Sequence, residues 1–315
     1  MTIIEALQEK DKQRAEAEAK ADGRTRELHI ALPELEELDK QLAACGPALV
    51  QVMMRRDREA LQALEKENHA LQEKRKQLLT ANGYRPDEDE PVYTCPVCSD
   101  TGYVGMKLCG CVKRRIAVDR YTSTGLGKGL FGKTFDNFSL RYYTGEDKQH
   151  METVLSICRS YAEQFDETAR PLLFLGKTGL GKTHLSAAIA MTVAQKGYDV
   201  LYETAQKLSD RYEAARFGRD NDSMIERYEN CDLLLIDDLG TECASQYTSA
   251  TFFDLLNTRL LNGKPIIINT NLNRPQLEKI YGERVLSRLL GDFRVLKFVG
   301  TDVRMQKVTS GKADE

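Results

Sequence analysis

The sequence contains no tryptophan, and only 7% of its 315 residues are aromatic. None of those aromatics falls in residues 1–82, so that stretch cannot build a globular core of its own. No uncharged apolar run approaches the roughly 18 residues that would cross a bilayer. The N-terminal MTIIEALQEKDKQRAEAEAK alternates charges where a signal peptide needs an apolar core. A soluble, cytoplasmic protein with no membrane partner is expected. There is also no excess of one charge: 45 Lys and Arg against 48 Asp and Glu give a net −3. No global positive field therefore attracts nucleic acid, and any such contact must be local. Eight cysteines are too dilute for a disulfide framework. No repeat of fixed period is visible. The length suits a core domain of roughly 200 residues plus an extension.

Residues 1–82 are rich in Ala, Glu, Gln, Lys, Arg and Leu, which predicts a helical or coiled-coil extension. Leu61, Leu64, Leu71 and Leu78 form one narrow apolar seam, and Leu35, Leu38 and Leu42 a shorter one. Pro33 suits the first turn of the helix with the shorter seam, and Gly46–Pro47 is expected to break the pattern. A helical hairpin or short coiled coil fits, with Leu64, Leu71 and Leu78 available to a partner; packing of these helices on the core domain is the alternative. Residues 83–94, with Gly83, Pro86, the acidic run Asp87–Glu90 and Pro91, read as a linker. A metal module at 95–120, a connecting segment at 121–170 and an ATPase domain at 171–315 complete the expected organisation.

Cys95, Cys98, Cys109 and Cys111 form CxxC, ten residues, then CxC. Four thiolates on two tight turns match a structural zinc site, closed to catalysis. An iron–sulfur cluster uses the same ligands, and unrelated buried thiols are the plainer alternative. From residue 105 to 133, Lys107, Lys113, Arg114, Arg115, Arg120, Lys128 and Lys133 face a single acid, Asp119, a local charge of +6. This is either a DNA-facing neck, with Tyr121 and Phe131 to stack on bases, or compensation for the zinc thiolates and the acidic linker.

From about Pro171 onward, LLFLG, VLYET, CDLLLIDD, PIIINTN and RVLKFVG read as short buried strands separated by helices. That alternation argues a parallel sheet covered on both faces. Gly176, Lys177, Thr178, Gly179, Leu180, Gly181, Lys182 and Thr183 fit GxxxxGK[ST] between a strand and a helix ended by Gly197. In that setting loop amides and the helix N-terminus face one phosphate cluster, so ATP is the expected ligand. Lys182 reaches the β and γ phosphates, and Thr183 holds Mg2+. At the end of LLLIDD, Asp237 binds Mg2+ through water and Asp238 is the base; its short side chain leaves fast hydrolysis open. The related letters TGLGK at 124–128 lack the flanking strand and the hydroxyl, and read as a connection. Asn271 ends the next strand where it reaches the γ-phosphate. Arg284 and Arg288 lie four apart on one helix face, from which one can act on a neighbouring subunit, and Arg304 follows the last strand.

GKTGLGKTHLSAAIA, LLLIDDLGTE, IIINTNL, GERVLSRL and GTDVR, in this order, resemble the AAA+ ATPases of the DnaC/DnaI helicase-loader group, which also includes the IstB transposition helpers. The resemblance covers about residues 95–306. It implies an α/β AAA+ P-loop ATPase fold and makes Asn271 the first sensor, Arg288 the arginine finger with Arg284 as fallback, and Arg304 the second sensor. It also places Phe217, Ser245 and Tyr247 at single-stranded DNA contacts. Eleven residues follow Arg304, so a minimal lid, or none, is expected. The implied function is an ATPase that loads a replicative hexameric helicase, binding it through the N-terminal region, holding single-stranded DNA, and working as a homo-oligomer. The alternatives are an IstB-like transposition helper and a nucleotide-switched adaptor. ATP, Mg2+ and Zn2+ are the expected cofactors.

Overall fold

A computed structural model describes residues 1–55, 57–123, 130, 132–217, 223–242 and 246–309. The chain divides into two compact units: Leu7–Cys109, and Met1–Ala6 together with Gly110 onward. The 124–128 connection, Phe131 and Ser245 lie outside the described residues.

Three helices dominate the first unit: α1 (Ile3–Ala31) from Leu7 onward, α2 (Pro33–Arg55) and α3 (Arg58–Ala81). Pro33 opens α2 as expected, because its missing N–H is one that a helix start leaves unpaired anyway. The expected break at Gly46–Pro47 does not occur; α2 runs through it. Pro47 forfeits one ladder bond, and the packing of α2 against α3 as a hairpin offsets that loss. The hairpin also uses part of the leucine seam. Leu71 is buried, Leu64 and Leu78 are half-buried, and Leu28, Leu35 and Leu79 form a small core. The seam is therefore not free for a partner as a whole. The exposed apolar side chains of α2 are instead Val50, Met53 and Met54 near its C-terminus.

The acidic run is strapped down by cations. Arg75 pairs with Asp89 and with Asp39 (2.6 Å), and Arg24 donates to the carbonyls of Glu88 and Glu90, both at 2.7 Å. A short hairpin, β1 (Tyr103–Val104) with β2 (Lys107–Leu108), ends this unit.

The second unit holds a five-stranded parallel sheet in the order β4-β5-β6-β3-β7, made of β3 (Leu172–Leu175), β4 (Val200–Thr204), β5 (Leu233–Leu239), β6 (Ile266–Thr270) and β7 (Arg294–Lys297). These are the five strands read from the sequence. Alternate residues supply two cores. Leu172, Phe174, Leu233, Leu235 and Ile267 face one side; Leu173, Leu234, Ile236, Ile266 and Ile268 face the other. The first side is covered by α4 (Gly110–Thr122), α5 (Gly145–Glu163) and α6 (Lys182–Gln195). The second is covered by α7 (Ala205–Arg216), α8 (Ser223–Asn230), α9 (Gln246–Leu261) and α10 (Arg274–Gly291). A short α11 (Val303–Thr309) follows β7. This is the expected α/β fold, a parallel sheet covered on both faces by helices.

The basic α4 packs on α6 through Val112, Ile116, Ala117 and Tyr121. Tyr121 is 1% exposed, so it cannot stack on a base; an aromatic in a highly charged segment is used here as that segment's anchor. Among the described residues no helix is long and apolar enough to cross a membrane.

Candidate nucleotide and metal sites

The phosphate loop leaves β3 and enters α6. Gly179 and Gly181 have φ of +78° and +85°, left-handed values that suit glycine, and both are also crowded. A Cβ on Gly181 would lie 2.7 Å from the Phe138 ring, and one on Gly179 would overlap the Asp302 carboxylate. Tyr143 donates its hydroxyl to the Leu180 carbonyl (3.1 Å), and the Val303 amide donates to the Gly179 carbonyl (3.0 Å). Two distant segments, 138–143 and 298–303, therefore brace the loop; the first had no role beyond connection in the sequence.

Lys182 is 5% exposed and donates to the carbonyls of Gly176 (2.6 Å) and Lys177 (2.8 Å) and to Asn271 Oδ1 (2.5 Å). Burial pushes its pKa down to about 8, against the opposing pull of Asp238 and Asp237 and with a further push from Arg304. Thr183 Oγ1 donates to Asp237 Oδ1 at 3.3 Å, which leaves the threonine oxygen's lone pairs for a metal. The oxygen set of Thr183 and Asp237 suits Mg2+, a hard cation that keeps several waters.

Asp238 sits at φ +55°, a left-handed conformation uncommon outside glycine, and its carbonyl accepts Thr241 N (3.2 Å) and Thr241 Oγ1 (2.9 Å). Partial burial, then the neighbouring Asp237, raise the Asp238 carboxyl above the usual aspartate value, while Lys182, Arg304 and Asn271 oppose the rise. A base must be deprotonated to act. Were Asp238 the base of a hydrolysis, its rate would fall on acidification at a higher pH than an ordinary aspartate would set. Asp238→Asn should keep ATP binding and remove that limb, and a pH–rate profile of both proteins checks it.

The structure thus brings together the loop, Asp237, Asp238 and Asn271, with Arg304 near enough for its charge to act on Lys182 and Asp238. It does not bring Arg284 or Arg288 there. Both line a separate groove with Phe253, Glu283 and Ser287, and Arg288 pairs with Asp292 at 3.3 Å. Just before them Gly282 (φ +81°) breaks α10. Of the expected DNA contacts, Phe217 is 60% exposed. Tyr247 is half-buried, its hydroxyl donating to the Tyr212 carbonyl (3.1 Å) and its ring lying 4.5 Å under the Arg216 guanidinium. Sequence reasoning missed Tyr202 and Asn269, which touch Asp237. An amide two residues before Asn271 in an otherwise apolar strand, hence on the same face, was the available signal.

The four clustered cysteines bring their Sγ atoms within 4.8 Å of one another. A tetrahedral zinc at the usual Zn–S length implies S···S of ~3.8 Å, and Cys95 and Cys109 stand 3.9 Å apart. The knuckle is shaped by Ser99 and Asp100, both at left-handed φ, and by the fully buried Asp100 carboxylate. That group accepts Thr94 N (2.7 Å), Cys95 N (3.0 Å) and Lys10 Nζ (2.8 Å). The donor set fits a structural zinc ion.

A family model described as IstB-like ATP binding protein matches residues 118–309, more than half of the chain. The replicative helicase loader DnaC of Escherichia coli (strain K12) is 33% identical over 155 residues, 49% of this chain and 63% of that protein. DnaC of Buchnera aphidicola subsp. Acyrthosiphon pisum (strain APS) is 28% identical over 179 residues, 56% of this chain and 70% of that one. The match to the Escherichia coli loader thus spans less than two thirds of its length. A crystal structure of the DnaC helicase loader superposes with a TM-score of 0.49 at 22% identity, covering 55% of this chain and 100% of that one.

Proposed function

Because the chain belongs to the IstB-like ATP binding protein family, we propose that it is an ATP-dependent loader of a replicative hexameric DNA helicase. What carries the reading is the joining of a complete nucleotide-switch constellation to a helical, cysteine-clustered extension, in a chain whose ATPase part is similar to helicase loaders. The extension binds the helicase, and the ATPase domain holds single-stranded DNA. Lys182 and the loop amides grip the β and γ phosphates, while Thr183 and Asp237 hold Mg2+, which offsets phosphate charge when bound. Asp238 takes the proton of the attacking water, Asn271 orients the γ-phosphate, and Arg304 stabilises its charge. Arg288, remote from its own loop, acts on the loop of a neighbouring copy in a homo-oligomer, so hydrolysis is slow until the protein assembles. Zinc holds the knuckle at Cys95, Cys98, Cys109 and Cys111.

The DNA role is tested by fluorescence anisotropy with labelled oligonucleotides. Single strands should bind better than duplex and weaken as salt rises, because phosphate contacts release counterions. Phe217→Ala should weaken binding about tenfold, within the roughly 1–3 kcal/mol that a stacked base contributes. Tyr247→Ala should cost less, because Tyr247 is half-buried with its hydroxyl bonded to the Tyr212 carbonyl, whereas Phe217 is 60% exposed. A preference for duplex would favour the transposition-helper reading, to which the family description also points. Negligible turnover in every assembly would favour the adaptor.

A further inference from the structure

Asp237 is held from four sides by groups that are not themselves all part of the phosphate loop. Tyr202 on β4 donates its hydroxyl to Asp237 Oδ2 at 2.6 Å. Oδ1 accepts Asn269 Nδ2 from β6 (2.8 Å), its neighbour's amide Asp238 N (3.0 Å) and Thr183 Oγ1 (3.3 Å). Asn269 Nδ2 also donates to Ser186 Oγ (2.8 Å), and that hydroxyl donates to the Thr183 carbonyl (3.3 Å). The network therefore returns to the residue expected to touch the metal.

Four of these side chains are buried. Tyr202 and Asn269 are each 1% exposed, Ser186 is fully buried and Asp237 is 5% exposed. Asn269 Oδ1 has no hydrogen-bond partner among the described residues. A buried polar atom left unpaired costs free energy, and an apolar side chain on this strand would avoid that cost. What the amide supplies in return is its donor to Asp237.

We propose that Tyr202 and Asn269 are positioning residues that hold the Asp237 carboxylate in the rotamer required for metal-dependent nucleotide binding. The inference rests on the ATP-binding reading above and extends it to two residues that touch neither nucleotide nor metal. With the Tyr202 hydroxyl gone, Oδ2 loses its fixed donor and the carboxylate turns more freely about its terminal torsion. Affinity for the metal then falls, as it does when outer-shell partners of other metal sites are removed. Nucleotide binding without metal depends on the loop amides and Lys182, which neither substitution touches.

The test uses the full chain and a fluorescent ATP analogue, measured first in EDTA and then against increasing Mg2+. Tyr202→Phe and Asn269→Ala should match wild type in EDTA, while the Mg2+ concentration at half-effect rises by about 10–100-fold. A thermal melt in EDTA separates folding from positioning. Should Asn269→Ala fail to fold, Tyr202→Phe, which removes a single oxygen, decides alone. A wild-type Mg2+ midpoint in the folded variants overturns the proposal. So does an equal loss of affinity with and without metal, because that marks a merely structural role. Failure of the wild-type protein to bind the analogue at all would instead remove the ATP-binding reading.

Discussion

Lys182→Met will lose ATP binding by 100-fold or more while the unliganded protein keeps its fold. Removing one member of a buried charge pair costs about 3–5 kcal/mol, and on the proposed reading this ammonium is the one that meets the phosphates. Without nucleotide the balance differs, since burial holds the lysine pKa near 8, below the unfolded value of about 10.4. The unfolded chain therefore binds more protons between those two pH values, so stability rises with pH across that window. Below pH 8 the buried charge costs on the order of 3 kcal/mol. Methionine removes that cost but leaves the carbonyls of Gly176 and Lys177 and Asn271 Oδ1 short of a donor. These opposed effects are of similar size, so the melting temperature without ligand should move by only a few degrees. The rise in melting temperature on adding ATP should vanish. Wild type should also take up a proton on binding ATP near pH 8, as phosphate restores the lysine charge. Calorimetry in buffers of different ionisation enthalpy detects that uptake, which Lys182→Met should lack.

On the proposed zinc reading, Cys98→Ser will cost the protein its metal and the order of residues 95–109. Structural zinc contributes about 10–16 kcal/mol to the folding of small modules. The Asp100 bonds to Thr94, Cys95 and Lys10 remain, but β1 and β2 are two residues each and a lone hairpin is marginal in water. Metal analysis should give one zinc per wild-type chain and none in the variant, with faster proteolysis within this segment. ATP binding should persist. Bound iron with a visible charge-transfer band would assign the cluster differently, and a metal-free wild-type chain purified without chelators would contradict the site.

The five strands and the phosphate loop were legible because each is written locally. Runs such as LLLI and IIIN are too apolar for anything but a doubly covered strand, and the loop's glycines, lysine and threonine have fixed spacing. The helical extension was legible as composition, and a hairpin was one of the readings its seams allowed, but which helices pair was not. Whether Pro47 ends a helix depends on what α2 packs against, and Leu71 became core because α3 folds onto α2. Tyr121 shows the same limit, since a basic helix does not announce that its apolar side lies on α6. Tyr202 was invisible for a related reason, and Asn269 showed only as an amide in an apolar strand. Their importance lies in a carboxylate on the strand that separates β4 from β6, and only the strand order places them around it.

The loader account is tested most directly by mixing the full chain with its host's purified replicative helicase, with and without ATP, and following complex size and helicase transfer onto a closed circular single strand. The account predicts a stable complex with wild type, ATP-dependent transfer of the helicase to DNA, and a Lys182→Met protein that binds the helicase but does not complete the cycle. No complex under any nucleotide condition, together with tight binding to duplex DNA and stimulation of a transposase, would contradict it.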